Sequence, residues 1–254
     1  MAKKPEFTFV DLFAGIGGFH LALRNLGAKC IFLNEFDKYA KETYLNYFQK
    51  KDPELFNSHS AEYFWKNIRD ITLSNTDKTE NIKINNIKEI ISARPDILCA
   101  GFPCQPFSLV GKKNGFDDDR GTLFKDIHLI IRALKPRVIF LENVRHIVQH
   151  DNGKVLNYII DKLGKADYEV NTNRGKNWDI LKASDFGLPT YRQRFYFVAF
   201  RKDVVDSGKF KFPDPITPGG ITLSQFFKDD DCYGKEKYRK TGKYSRRDLS
   251  QGFG

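Results

Sequence analysis

The feature that most constrains this chain is an alternation: a short apolar run followed by a helical pattern, four times over. FTFVDLF (7–13) reads as a buried strand and GGFHLALRNLG (17–27) as a helix, and CIFLNEF (30–36) with DKYAKETYLNYFQ (37–49) repeats the unit. DILCAGF (96–102) leads to TLFKDIHLIIRAL (122–134), and RVIFLEN (137–143) to KVLNYIIDKLG (154–164). Apolar strands joined through helices require crossover connections, hence a mostly parallel sheet covered on both faces. The expected fold class is therefore α/β, doubly wound. YEVNTN (168–173), WDILKA (178–183) and RFYFVAF (194–200) have no long helix between them and are assigned to an antiparallel edge. SNTDKTENIKINN (74–86) is polar and turn-rich, and reads as a surface insertion.

With 254 residues, 41% of them hydrophobic, the chain can bury one substantial core but is short for two ordinary domains. The division expected is a main domain over 1–201 and a C-terminal segment over 202–254, where Pro213, Pro215, Pro218, Gly219 and Gly220 punctuate the chain. No apolar run reaches the ~18 residues of a membrane helix, and MAKKPEF lacks the apolar stretch of a signal peptide. Cys30, Cys99, Cys104 and Cys232 are too sparse for a disulfide scaffold or a structural zinc site. A reducing cytoplasm is the expected compartment. The net charge of +10 suits a polyanion without identifying one. Between Lys235 and Arg247, seven basic residues face one acid and are interleaved with Tyr238 and Tyr244. Such a stretch serves equally as a nucleic-acid arm or a solvated tail.

Four segments carry candidate chemistry. In FVDLFAGIGGFHLAL (9–23) a strand enters a glycine turn that opens a helix. Gly15, Gly17 and Gly18 permit tight turning and close backbone approach, and free amides at a helix start favour an anion. Glu35, at the end of the second strand, is placed to bond ribose hydroxyls, and Phe36 to face an adenine ring. In AGFPCQPFS (100–108) Cys104 lies beyond a strand end, where open α/β sheets bind ligands, on a loop stiffened by Pro103 and Pro106. That placement suits a nucleophile. Cys30 and Cys99, inside strand runs, read as structural. Glu142, in FLENVR (140–145), follows an apolar run and must be paired, exposed in the cleft or protonated. Arg192 and Arg194, in YRQRFYFVAF (191–200), could clamp a phosphate or a carbonyl oxygen. Each segment also has a plain packing or surface reading when taken alone.

Taken in order, DLFAGIGG, NEFDKYA, GFPCQPFS, DDRGTLF, LENV and GLPTYRQR resemble the cytosine-5 DNA methyltransferase family over residues 8 to 201, about three-quarters of the chain. The resemblance implies a Rossmann-like fold and S-adenosylmethionine as methyl donor, with no metal. It implies that Phe13, Gly15 and Gly17 line the donor site, and that Glu35 holds the ribose while Phe36 stacks on adenine. Asp70 and Ile71 match the adenine-contacting pair, and Pro103 and Leu123 complete the wall. Cys104 would add to carbon 6 of a flipped-out cytosine, with Glu142 at ring nitrogen 3 and Arg192 and Arg194 near the base carbonyl and Cys104. Gln105, Ser108, Lys112 and Lys113 would contact duplex DNA, on the loop that closes over the base. A zinc deaminase is disfavoured, because PCQPF lacks the second cysteine of PCxxC.

Departures from the family are visible too. Thr190 stands where the family has Gln. Segments resembling PRECARLMG and GNSV do not appear after the last strand. The expectation is a catalytic part completed by a second polypeptide that carries target recognition, or a truncated coding sequence, with an exposed apolar face at the donor pocket. An RNA cytosine-5 methyltransferase and a non-catalytic donor- or DNA-binding fragment are the alternatives.

Overall fold

A computed structural model describes residues 7–103, 123–172, 175–204 and 210–220. Strand β1 (Thr8–Leu12) leads through the glycine turn to α1 (Gly18–Asn25), and β2 (Lys29–Asn34) leads to α2 (Lys38–Phe48). Asp37 caps α2: its carboxylate accepts from the N–H groups of Tyr39 and Ala40, satisfying two amides the helix itself cannot bond. Short helices α3 (Pro53–Phe56) and α4 (Ile68–Thr72) precede α5 (Glu80–Ile90). The sequence reading missed all three. The polar segment 74–86 lies at the surface as expected, but from Glu80 onward it is helix, because Ile87 and Ile90 give α5 a buried stripe at helical spacing.

Beyond β3 (Ile97–Gly101) come α6 (Leu123–Leu134), β4 (Val138–Val144) and α7 (Lys154–Lys165). Then follow β5 (Tyr168–Glu169), the two-residue strands β6 (Asn171–Thr172) and β7 (Gly175–Lys176), β8 (Trp178–Lys182) and β9 (Gln193–Arg201).

The main sheet runs β2-β1-β3-β4-β9-β5, with β8 on β9. The pairs β1–β2, β1–β3 and β3–β4 are parallel, whereas β4–β9 and β5–β9 are antiparallel. The antiparallel strands thus gather at one side of the sheet, with β9 inserted between β4 and β5. Strand order reverses at β1, so the ends of β1 and β3 form the crevice where ligands bind in such sheets. Helices α4, α5, α6 and α7 pack each on the next, and α1 packs against β2. The core is continuous through Phe9, Phe32, Leu98, Phe124, Ile139 and Phe197, all fully buried. Among the described residues no helix is long and apolar enough to cross a membrane.

The chain divides into two compact units. One comprises residues 1–181 with 193–212 and contains the main sheet; the other comprises 182–192 with 213–254. In the second, the Asp185 carbonyl accepts from the N–H groups of Ile216 and Thr217, and the Thr217 hydroxyl donates to the Ser184 carbonyl at 2.7 Å. Lys182 pairs with Asp185 at 2.8 Å.

Candidate active site

The glycine turn closes over three left-handed residues, Phe13 (φ 56°), Gly15 (φ 55°) and Gly17 (φ 92°). Gly17 is compulsory on packing grounds as well: a Cβ there would lie 2.3 Å from Phe48 Cε2 and 3.1 Å from Tyr44 Cε2. Glu35 locks the turn to the end of β2. Its carboxylate accepts from the Gly15 N–H at 2.7 Å and from the Asp37 N–H at 2.7 Å. The anion that the turn's amide attracts is therefore a side chain of the chain itself. Two of the roughly four acceptor sites of a carboxylate remain for other donors. Phe36 beside it is 70% exposed, presenting an open ring face. Glu35 and Phe36 thus fit a ribose diol and an adenine, and a nucleoside-bearing donor suits these residues.

Asp70 is exposed on α4, while the Ile71 side chain is fully buried and its carbonyl accepts from Asn86 Nδ2 at 2.8 Å. A pair the sequence reading missed holds α4 in place. The Thr72 hydroxyl donates to buried Asp126 of α6 at 2.5 Å, and Arg69 lies 3.9 Å from the same carboxylate. Leu123 opens α6, half-buried against the core, and Pro103 is exposed just past β3. Beneath the turn, Asp11 is fully buried, with neither carboxylate oxygen hydrogen-bonded among the described residues. Burial pushes its pKa to about 8; the His20 backbone N–H, near the carboxylate but outside hydrogen-bond geometry, opposes the rise, and the Glu35 charge adds to it.

On the neighbouring strand ends, Glu142 of β4 sits opposite Gly101 of β3. A Cβ at Gly101 would come within 3.3 Å of Glu142 Oε2, so the glycine leaves the carboxylate its space. Arg194 of β9, opposite Val144, donates from Nε to Glu142 Oε1 at 2.8 Å. Of the three options open to Glu142, pairing is realised, with the pair partly exposed. Asn143 is buried, and its Nδ2 donates to the Phe102 carbonyl at 2.8 Å, fixing the chain where it leaves β3 toward Pro103. Sequence reading did not single out this residue, because its partner is a backbone carbonyl 41 residues away.

Arg192 is exposed and belongs to the second compact unit. Cys104, Gln105, Ser108, Lys112 and Lys113 lie outside the described residues. Cys30 and Cys99 are buried free thiols whose pKa burial pushes well up, in keeping with their structural reading.

Comparison with known proteins bears on these strand ends. A family model described as C-5 cytosine-specific DNA methylase matches residues 7–250. The chain is 39% identical over 222 residues to the type II methyltransferase M.HhaI of Haemophilus parahaemolyticus, covering 87% of this chain and 55% of that protein. It is 41% identical over 214 residues to M.HpaII of Haemophilus parainfluenzae, covering 84% and 51%. With M.NlaX of Neisseria lactamica it shares 39% over 250 residues, covering 95% and 66%. The chain thus spans about half to two-thirds of the length of these relatives. A crystal structure of a Spodoptera frugiperda DNMT2 mutant superposes with a TM-score of 0.55 at 24% identity, over 82% of this chain and 54% of that one. This likeness speaks to the fold alone.

Proposed function

The chain belongs to the C-5 cytosine-specific DNA methylase family, and on that premise we propose that it transfers a methyl group from S-adenosylmethionine to carbon 5 of cytosine in duplex DNA. The observation that carries the proposal is the Glu142–Arg194 pair at the end of β4, one strand from the Pro103 exit toward Cys104. In this reading Cys104 attacks as thiolate. Near a thiol pKa of about 8.5 only a few per cent is ionised at neutral pH, so cationic surroundings help. The sulfur bonds to cytosine carbon 6, and the ring electrons move to make carbon 5 nucleophilic. Glu142 holds a proton at ring nitrogen 3, where charge develops, and Arg194, with Arg192 nearby in the family pattern, faces the base carbonyl. Bound S-adenosylmethionine would supply an electrophilic methyl group on sulfur; carbon 5 takes that methyl as the sulfur–methyl bond breaks, leaving S-adenosylhomocysteine. A base then takes the carbon 5 proton, the Cys104–carbon 6 bond breaks, and the thiolate leaves. The cytosine must leave the stacked helix to reach Cys104, with Gln105, Ser108, Lys112 and Lys113 on the DNA side.

At the donor end, Glu35 and Phe36 bind the nucleoside, with Phe13, Gly15, Gly17, Asp70, Pro103 and Leu123 around it; Ile71, fully buried, supports α4 without touching it. In this reading residues 1–201 hold the catalytic and donor-binding residues, across both compact units, and a second polypeptide carries target recognition. Ile16, in the glycine turn (67% exposed), and Tyr39, at the start of α2 (66%), support an apolar partner on this side of the donor site.

The test is transfer of labelled methyl from S-adenosylmethionine to duplex DNA and to tRNA, by the chain alone and by the chain co-purified with the product of its neighbouring reading frame. Label on cytosine carbon 5 of DNA is expected. Label on tRNA alone, or donor binding with no transfer under either condition, sinks the proposal.

A further inference from the structure

Behind the glycine turn lies a chain of polar groups, buried at Tyr44 and His20 and partly exposed at Asp52 and Arg24, with no place in the chemistry above. His20, on the first turn of α1, is 1% exposed. Its Nε2 lies 3.3 Å from Asp52 Oδ2, and its Nδ1 is hydrogen-bonded to the Tyr44 hydroxyl. Asp52 also accepts from Arg24 Nε at 3.0 Å. The ring stacks on Phe48, with centroids 4.1 Å apart and planes 15° apart, and meets Phe9 edge-on at 5.3 Å.

These contacts fix one tautomer. Asp52 can only accept, so Nε2 carries the hydrogen; the neutral ring then offers Nδ1 as acceptor, and Tyr44 donates. Burial, the dominant influence, lowers the His20 pKa to about 4, and burial pushes the fully enclosed Tyr44 phenol far up, so neither role changes near neutral pH. Tyr44 and Phe48 are the two rings that a Cβ on Gly17 would strike. One imidazole therefore holds, by a hydrogen bond and by stacking, both rings that form the floor of the turn. The same turn presents Gly15 to Glu35.

We infer that His20 is a positioning residue for the methyl-donor site, acting through Tyr44 and Phe48 on the backbone of the Gly15–Gly17 turn. The inference rests on reading that turn as the donor site.

Calorimetric titration with S-adenosylhomocysteine tests it on the full chain, in the wild type and in the Tyr44→Phe, His20→Leu, His20→Gln and Glu35→Ala variants, with thermal midpoints measured alongside. Gln offers an acceptor and a donor on one side chain and is the conservative replacement. Expected is a loss of about ten-fold in affinity per folded molecule for Tyr44→Phe and His20→Leu, with most of it restored in His20→Gln. A merely structural role lowers the midpoint and the binding stoichiometry but leaves the affinity of the folded fraction unchanged. Wild-type affinity within about two-fold in both Tyr44→Phe and His20→Leu, with Glu35→Ala impaired, overturns the inference and leaves the donor-site reading standing. If His20→Leu does not fold, Tyr44→Phe and His20→Gln decide. Absence of binding by the wild type overturns the donor-site reading, and this inference with it.

Discussion

Replacing Gly17 by alanine separates two costs that Gly15→Ala does not combine. At Gly17 the backbone is left-handed (φ 92°, ψ 35°), which costs an alanine about 1–2 kcal/mol. The new methyl also falls 2.3 Å from Phe48 Cε2 and 2.9 Å from Cζ. Phe48 is 1% exposed and stacked on His20, so it cannot swing away without repacking, and overpacking of this kind costs about 1–3 kcal/mol. The sum for Gly17→Ala is about 2–5 kcal/mol. Gly15 is left-handed too (φ 55°), but a Cβ there meets nothing within 4 Å, so only the strain of about 1–2 kcal/mol applies. Urea unfolding of both variants, with Phe48→Leu added to each, measures the difference. Gly17→Ala should be the more destabilising, and Phe48→Leu should recover part of the loss in that background only. Equal losses in the two glycine variants, or no coupling to position 48, would refute the packing argument.

Three further outcomes follow from buried polar groups. Asn143→Leu removes the donor to the Phe102 carbonyl; unfolding free energy should fall by about 1–3 kcal/mol, and any transfer activity should fall further than donor affinity does. Thr72→Val leaves buried Asp126 without its hydroxyl partner, at a cost of about 1–3 kcal/mol by denaturant titration, with weaker S-adenosylhomocysteine binding through displacement of Asp70. Asp11, neutral in the folded chain up to about pH 8 against an ordinary value of 3.8, binds a proton on folding. Its contribution is complete below pH 3.8 and is lost as pH rises through about 8, by at most about 1.4 kcal/mol per pH unit. Asp11→Asn should flatten that slope in urea titrations from pH 5 to 8, and parallel slopes would contradict it.

The parallel half of the fold was legible because β1 to β4 are largely buried and read as short, mainly apolar runs, while α6 and α7 keep helical spacing. Helices α3 and α4 were not, being too short for periodicity to register. Helix α5 begins in a polar stretch, and only its last turns carry buried isoleucines. The place of β9 between β4 and β5 depends on pairing across the sheet, which no local pattern encodes. At the site, Glu35 and the glycine turn were visible together, as were Glu142 and Arg194. The supporting residues His20, Tyr44, Asp52, Asp126 and Asn143 were not, since each acquires meaning only from a partner brought near by folding. The carboxylate of Glu35 also takes up the Gly15 amide, a use that spacing alone did not reveal.

The central claim is that Cys104 bonds to the cytosine while the methyl group is transferred. It is tested most directly by incubating the transfer-competent protein with S-adenosylmethionine and duplex DNA in which 5-fluorocytosine replaces cytosine, then locating the trapped adduct by peptide mass spectrometry. The fluorine blocks the final proton abstraction, so the DNA should stay attached to the peptide bearing Cys104, and Cys104→Ser should trap none. Attachment at a different residue, or methyl transfer to ordinary cytosine with no trapped species at all, would contradict the account.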